Sequence, residues 1–253
     1  MVTETVQSTM NYYLASITAG TVAGLFTHPI DVWKTRLQTQ AWRNSSYLKI
    51  MSSNPYSGVG VGLLSYMPSK AISLGTYGLS KNVLQENFNL SNTSVNIIAG
   101  TTASIITATI MCPLYVIKTL KQIQQKDGTN AMPSSWSIAK SLWKEGGFKY
   151  FYRGLSVSIL GSSEMISQFI IYEKFKNSDA LSRFNNIIGS DNNFSTSALA
   201  GGLSKMTTTV IFYPLDVIRT RMREQGNKNV KSVLNCMIKN GPKSFYNGLF
   251  LQI

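Results

Sequence analysis

Charge is absent from the chain in blocks. From Tyr12 to Ile30 nineteen residues run without a formal charge apart from the titratable His28, and from Val95 to Ile117 twenty-three do. At 1.5 Å per residue, either block is long enough to cross a hydrocarbon core of about 30 Å as a helix. Three further stretches are poorer in charge than their flanks: Gly58–Ser80 with Lys70, Gly154–Tyr172 with Glu164, and Ser195–Leu215 with Lys205. Gly, Ser, Thr and Ala are plentiful throughout. Small residues also recur at four-residue spacing (Ser16, Gly20 and Gly24; Gly100 and Ser104; Ala198 and Gly202), which lines a helix face for close backbone approach. The pattern predicts helices packed around a wet interior rather than isolated lipid-bathed spans. Buried core helices of a soluble protein would show similar runs. They would then have to accommodate prolines at the C-terminal ends of three runs, each followed at once by charge.

Composition sharpens this. The chain has 253 residues and a formal net charge of +13, while 43% hydrophobic and 11% aromatic content excludes a disordered polybasic tail. Residues 31–53, 118–153 and 216–243 carry net charges of +3, +5 and +5, which is the whole excess. A soluble nucleic-acid binder would also be basic, but three patches alternating with charge-poor stretches are less expected there. Cys112 and Cys236 build no disulfide framework, and no CxxC or His/Cys cluster offers a metal site. The single histidine, His28, adjoins Pro29 without a Ser or Cys relay, and no phosphate-binding Gly loop occurs, so an enzyme is the least expected class. The first eleven residues contain Glu4 and no Arg, unlike an arginine-rich transit peptide.

An internal repeat organises the whole. Pro29-Ile-Asp31-Val-Trp-Lys34-Thr-Arg36-Leu-Gln38 aligns without gaps to Pro113-Leu-Tyr115-Val-Ile-Lys118-Thr-Leu-Lys121-Gln122 and to Pro214-Leu-Asp216-Val-Ile-Arg219-Thr-Arg221-Met-Arg223. A lone Asp or Lys near a proline is ordinarily a solvated helix-end charge; repetition at fixed spacing sets these apart. A second signature is Glu145-Gly146 followed by Tyr152-Arg153-Gly154, with degenerate copies at Tyr56-Ser57-Gly58 and at Gly241 with Tyr246-Asn247-Gly248. A third is Tyr172-Glu173-Lys174-Phe175-Lys176, of which the first repeat keeps only Tyr77 and Lys81.

With these motifs the sequence resembles the mitochondrial carrier family over nearly its whole length from about Tyr12. The resemblance implies an all-α membrane protein, a pseudo-threefold bundle of three helix–matrix helix–helix repeats. The repeats would be at roughly 10–88, 93–178 and 194–253 of a single carrier domain. After Pro214 only 39 residues follow, whereas Pro113 to Lys176 takes 63, so the sixth transmembrane helix is expected to be largely missing. The implied activity is solute transport across the mitochondrial inner membrane by alternating access, as a multi-pass monomer without a cofactor. Its partners would be the lipid bilayer, with cardiolipin at the matrix-side helix ends, and a small anionic solute; nucleic acid is not expected.

The residues fit a gate. Three acid/base pairs at the inner helix ends can link neighbour to neighbour in a ring, which desolvation keeps modest in stability and a bound solute can break. In the family's order Asp31 would meet Lys118 and Asp216 would meet Lys34. The third pair is broken, because Tyr115 stands where an acid would face Arg219 and offers only a hydroxyl or ring face. Gln38 and Gln122 occupy the bracing positions, with Arg223 in the third, and Pro29, Pro113 and Pro214 would kink the helices. Lys81, Glu173 and Lys176 would belong to a cytoplasmic-side network.

Family solute contacts lie halfway along the even helices. The count from Gly58 points to Ser65, with Lys70 just past it. The count from Gly154 points to Gly161 and Ser162, with Glu164 nearby, while counting back from Glu173 shifts this by one residue. Pro68-Ser69-Lys70-Ala71-Ile72 resembles carriers of glutamate, citrate and related carboxylates, whereas Gly161 is more like the nucleotide carriers. A carboxylate is the first expectation and a nucleotide or nucleotide cofactor the second. A carrier-derived protein that transports nothing is a further alternative.

Overall fold

The computed structural model describes residues 2–43, 45–124, 133–176, 178, 193–224 and 229–252, with backbone alone for 2–17, 19 and 193–196. The described residues are largely helical and contain no strand. The long helices are α1 (Val2–Gln38), α3 (Val59–Asn87), α4 (Asn92–Ile123) and α8 (Asn193–Arg223). A fifth long path is divided at Ser162 into α6 (Leu155–Gly161) and α7 (Ser163–Lys176). Short helices α2 (Tyr47–Ser52), α5 (Ser135–Gly146) and α9 (Val230–Lys239) follow α1, α4 and α8, the first or odd helix of each repeat.

The three prolines do not end their helices. Pro29, Pro113 and Pro214 lie inside α1, α4 and α8, and the charged motif continues each helix beyond the uncharged block. Proline removes one helical hydrogen bond but leaves the chain free to continue where neighbouring helices satisfy the backbone.

Each even path starts at a glycine in the left-handed region: Gly58 (φ 79°), Gly154 (φ 76°) and Gly248 (φ 84°). These glycines make the pseudo-threefold arrangement visible. A Cβ on Gly58 would sit 3.5 Å from the Lys118 carbonyl oxygen, on Gly154 3.2 Å from that of Arg219, and on Gly248 3.4 Å from that of Lys34. Each repeat thus presses its turn against the basic residue of the next, and the third closes on the first. Only glycine combines positive φ with so close an approach.

Burial follows the same end. Trp42, Ile50, Cys112, Val116, Leu120, Ile123, Ile138 and Leu142 form one core cluster, and Val157, Tyr213, Val217, Ile218, Met222, Val233 and Met237 the other. Both lie where the short helices pack under the bundle. Phe26, Leu64, Leu79 and Ile110 are exposed on the outside of the long helices, as lipid-facing side chains are. The small-residue spacing is used in part. A Cβ on Gly20 would collide with Tyr66 and one on Gly100 would lie 2.6 Å from the Met165 methyl, whereas Gly24 and Gly202 face nothing within 4 Å. Ser16 lies outside the described side chains.

Candidate functional site

The motif ends of α1, α4 and α8 converge on a layer surrounding a cavity of about 170 Å³. Lys118 Nζ lies 3.8 Å from Asp31 Oδ2, and Lys34 Nζ lies 3.9 Å from Asp216 Oδ2. Both separations exceed hydrogen-bond length, so these are loose ion pairs. Asp216 also takes Arg219 of its own helix in a short ion pair, and its other oxygen accepts from Gln252 Nε2 at 3.2 Å.

The third interface differs from expectation. Tyr115 does not meet Arg219. Its hydroxyl pairs with Ser69 at 2.7 Å, and the guanidinium of Arg223 lies over its ring at 5.6 Å. Asp216 is the stronger electrostatic partner for Arg219 and sits one turn before it, which leaves the phenol to others. The glutamines are also placed differently: they bond threonines, not the ion pairs. Thr35 Oγ1 donates to Gln122 Oε1 at 3.0 Å, and Thr220 Oγ1 donates to Gln38 Oε1 at 2.8 Å. Gln38 additionally donates to the Tyr213 hydroxyl, which donates to the Asn247 carbonyl at 2.7 Å.

Two buried arginines were not singled out by sequence. Arg36 Nε donates to the Gln122 carbonyl at 2.9 Å, and its other nitrogens reach the carbonyls of Ile50, Ser53 and Asn54. Arg221 Nε donates to the Gln38 carbonyl, also at 2.9 Å. They are repeat-related, and each ties one odd helix to the end of another. The signal was present: both stand seven residues after the motif proline, where the second repeat has Leu120. Glu224 adds a related tie, accepting from the backbone N–H groups of Gln40 and Ala41 at 3.0 and 2.7 Å.

Above this layer is a second cavity, of about 460 Å³. Ser69, Lys70 and Ser73 of α3, Gly161, Ser162 and Glu164 on the α6–α7 path, and Tyr115, Arg219 and Arg223 line it. Lys70 stands 5.8 Å over the Tyr66 ring, and Glu164 is held by Lys205 at 2.7 Å. Ser65 is not on the wall. It is buried one turn closer to the motif layer, and its hydroxyl returns to the Val61 carbonyl. On α3 the wall is formed by Ser69, Lys70 and Ser73. On the α6–α7 path, a tight bond from Ser162 N–H to the Ile159 carbonyl marks the break that turns Gly161, Ser162 and Glu164 inward.

The opposite ends of the long helices differ. Among the described residues no ion pair joins Lys81, Glu173 or Lys176; Glu173 and Lys176 are exposed, and Lys176 lies over the Tyr172 ring at 5.9 Å. A cavity of about 540 Å³ lies on this side, lined by Tyr77, Met165, Phe169 and Tyr172 among others. Among the described residues, ion pairs between the motif helices thus gather at one end of the bundle.

The family model described as Mitochondrial carrier protein matches residues 5–88, 90–179 and 190–253. The chain belongs to the mitochondrial carrier family. It is similar to Solute carrier family 25 member 33 of Bos taurus, 28% identical over 291 residues, covering 99% of this chain and 91% of that protein. The Homo sapiens protein of the same description is 29% identical over 287 residues, with 98% and 89% covered. Mitochondrial carrier protein rim2 of Schizosaccharomyces pombe is 27% identical over 288 residues, with 95% and 83% covered. Membership makes this carrier a solute transporter, a multi-pass protein of the mitochondrial inner membrane and not an enzyme.

Proposed function

We propose that this carrier moves a small organic anion by alternating access, with the matrix layer as its gate. One observation carries the reading: Tyr115, Arg219 and Arg223 line both the 460 Å³ cavity and the gate layer beneath it. A solute held in the cavity therefore touches groups that also shape the gate. Lys70, Arg219 and Arg223 outnumber Glu164 on the wall, and Glu164 is engaged by Lys205. Such a wall in a low-dielectric setting suits carboxylate or phosphate oxygens. The two ion pairs are long and partly exposed, so the layer is modest enough to open when a solute binds the open state better.

A carboxylate is the first reading, on Lys70 and its flanking sequence. A nucleotide is the second, on two observations. Gly161 leaves open space at the wall, and the aromatic-lined 540 Å³ cavity lies one to two turns of α3 beyond Lys70, where a base could stack. Uptake of labelled carboxylates and nucleotides into proteoliposomes separates the two. Lys70→Ala should reduce uptake of the accepted anion at least tenfold through loss of a charged contact worth about 1.5–3 kcal/mol. Full activity in that variant removes Lys70 from the site, and no uptake of any anion above empty liposomes removes the anion reading.

A further inference from the structure

Two of the three interfaces in the matrix layer share one device, in which a threonine after the gate base donates to the glutamine of another repeat: Thr220 to Gln38, and Thr35 to Gln122. The same register pairs Thr119 with residue 223. That residue is arginine, which has no acceptor. Thr119 keeps only the contact to its own helix that all three threonines make, at the Tyr115 carbonyl 2.8 Å away, as Thr35 does at Asp31 and Thr220 at Asp216.

Arg223 is left in an unusual position. Its Nε is shut away from solvent without a hydrogen-bond partner, and no carboxylate lies within ion-pair distance among the described residues. Its guanidinium lies over the Tyr115 ring. Arg219, one turn earlier, is already neutralised by Asp216. A buried guanidinium is stable only when its donors are met, and a planar fork is suited to the oxygens of a carboxylate or phosphate. The cavity above is where such oxygens can come from.

We propose that Arg223 is a solute-binding residue at the cavity floor. It takes an anionic group of the solute with its guanidinium and in doing so leaves Tyr115, releasing the third interface of the matrix layer. Recognition and opening then share one side chain. The site rests on the reading of the cargo as an anion, and it makes the third, pairless interface the one that senses the load.

The test uses the full-length carrier in detergent and in proteoliposomes, with inorganic pyrophosphate and citrate as probes at matched ionic strength. At least one probe should raise the unfolding temperature of the wild type above the KCl control. Arg223→Gln supplies the missing acceptor for Thr119, so it should unfold at a higher temperature without ligand and lose the protection. Its KM for an anion accepted by the wild type should rise on the order of tenfold to a hundredfold. Arg223→Lys, which keeps the charge without the fork, should fall between and serves in its place if the Gln variant does not insert. No protection of the wild type by either probe, or protection and KM unchanged in the variants, overturns the proposal. Protection that depends on Arg223 in a protein that imports no anion retains the site and defeats the cargo reading. Anion uptake indifferent to Arg223 does the reverse.

Discussion

Reversing the charges of one gate pair tests the layer most directly. Asp31 and Lys118 stand 3.8 Å apart with side-chain exposures of 53% and 27%. Two unit charges at about 4 Å attract by about 4 kcal/mol at an effective dielectric near 20 and by about 1 kcal/mol in water. With Asp31 half in solvent, the net contribution lies near the lower figure, about 1 kcal/mol. Asp31→Lys or Lys118→Asp alone turns that attraction into a repulsion of similar size, a shift of about 2 kcal/mol, or roughly thirtyfold in the closed-to-open ratio. A carrier that cannot hold its matrix end shut loses the cytoplasm-facing state in which it loads. Initial rates of exchange in proteoliposomes should therefore collapse in each single variant, and the double variant should recover to within a few-fold of wild type. Unfolding temperatures report whether the singles are folded. A double variant no better than either single would refute the pairing, whatever the singles do.

Four further variants test the ties around the layer and the glycines of the α6–α7 path. Arg36→Ala strips a guanidinium from the carbonyls of Gln122, Ile50, Ser53 and Asn54. It should cost about 3 kcal/mol and lower the unfolding temperature by roughly 10 °C, and an unchanged temperature would contradict the tie. Arg221→Ala should act in the same direction through the loss of its bond to the Gln38 carbonyl. Gly154→Ala forces a side chain into positive φ against the Arg219 carbonyl and should destabilise by about 2 kcal/mol, whereas Gly161→Ala, with nothing within 4 Å, should leave thermal stability close to wild type.

The layer was legible in the sequence because it is written three times. Repetition at fixed spacing identified Asp31, Lys34, Lys118, Asp216 and Arg219 together, where any one alone would have read as a solvated helix end. Repetition also marked Tyr115 and Arg223 as departures. It could not show where their side chains went. Arg219 had an acid one turn back on its own helix. Arg36 and Arg221 escaped notice because a buried arginine satisfied by backbone carbonyls has no sequence partner to co-occur with.

By itself the sequence determined the family and its threefold repeat, and it marked the acidic and basic residues that the repeats bring into one layer. These depend on period, composition and repetition, which are properties of the chain as a line. Tertiary structure decided which acid each base meets, which turn of α3 reaches the cavity, that the glutamines brace threonines, and that Arg223 lies unpaired between cavity and gate. Those outcomes depend on competition among neighbours brought together from different repeats. A difference of one helical turn, as between Ser65 and Ser69, is then enough to place a side chain in the packed wall or in the cavity.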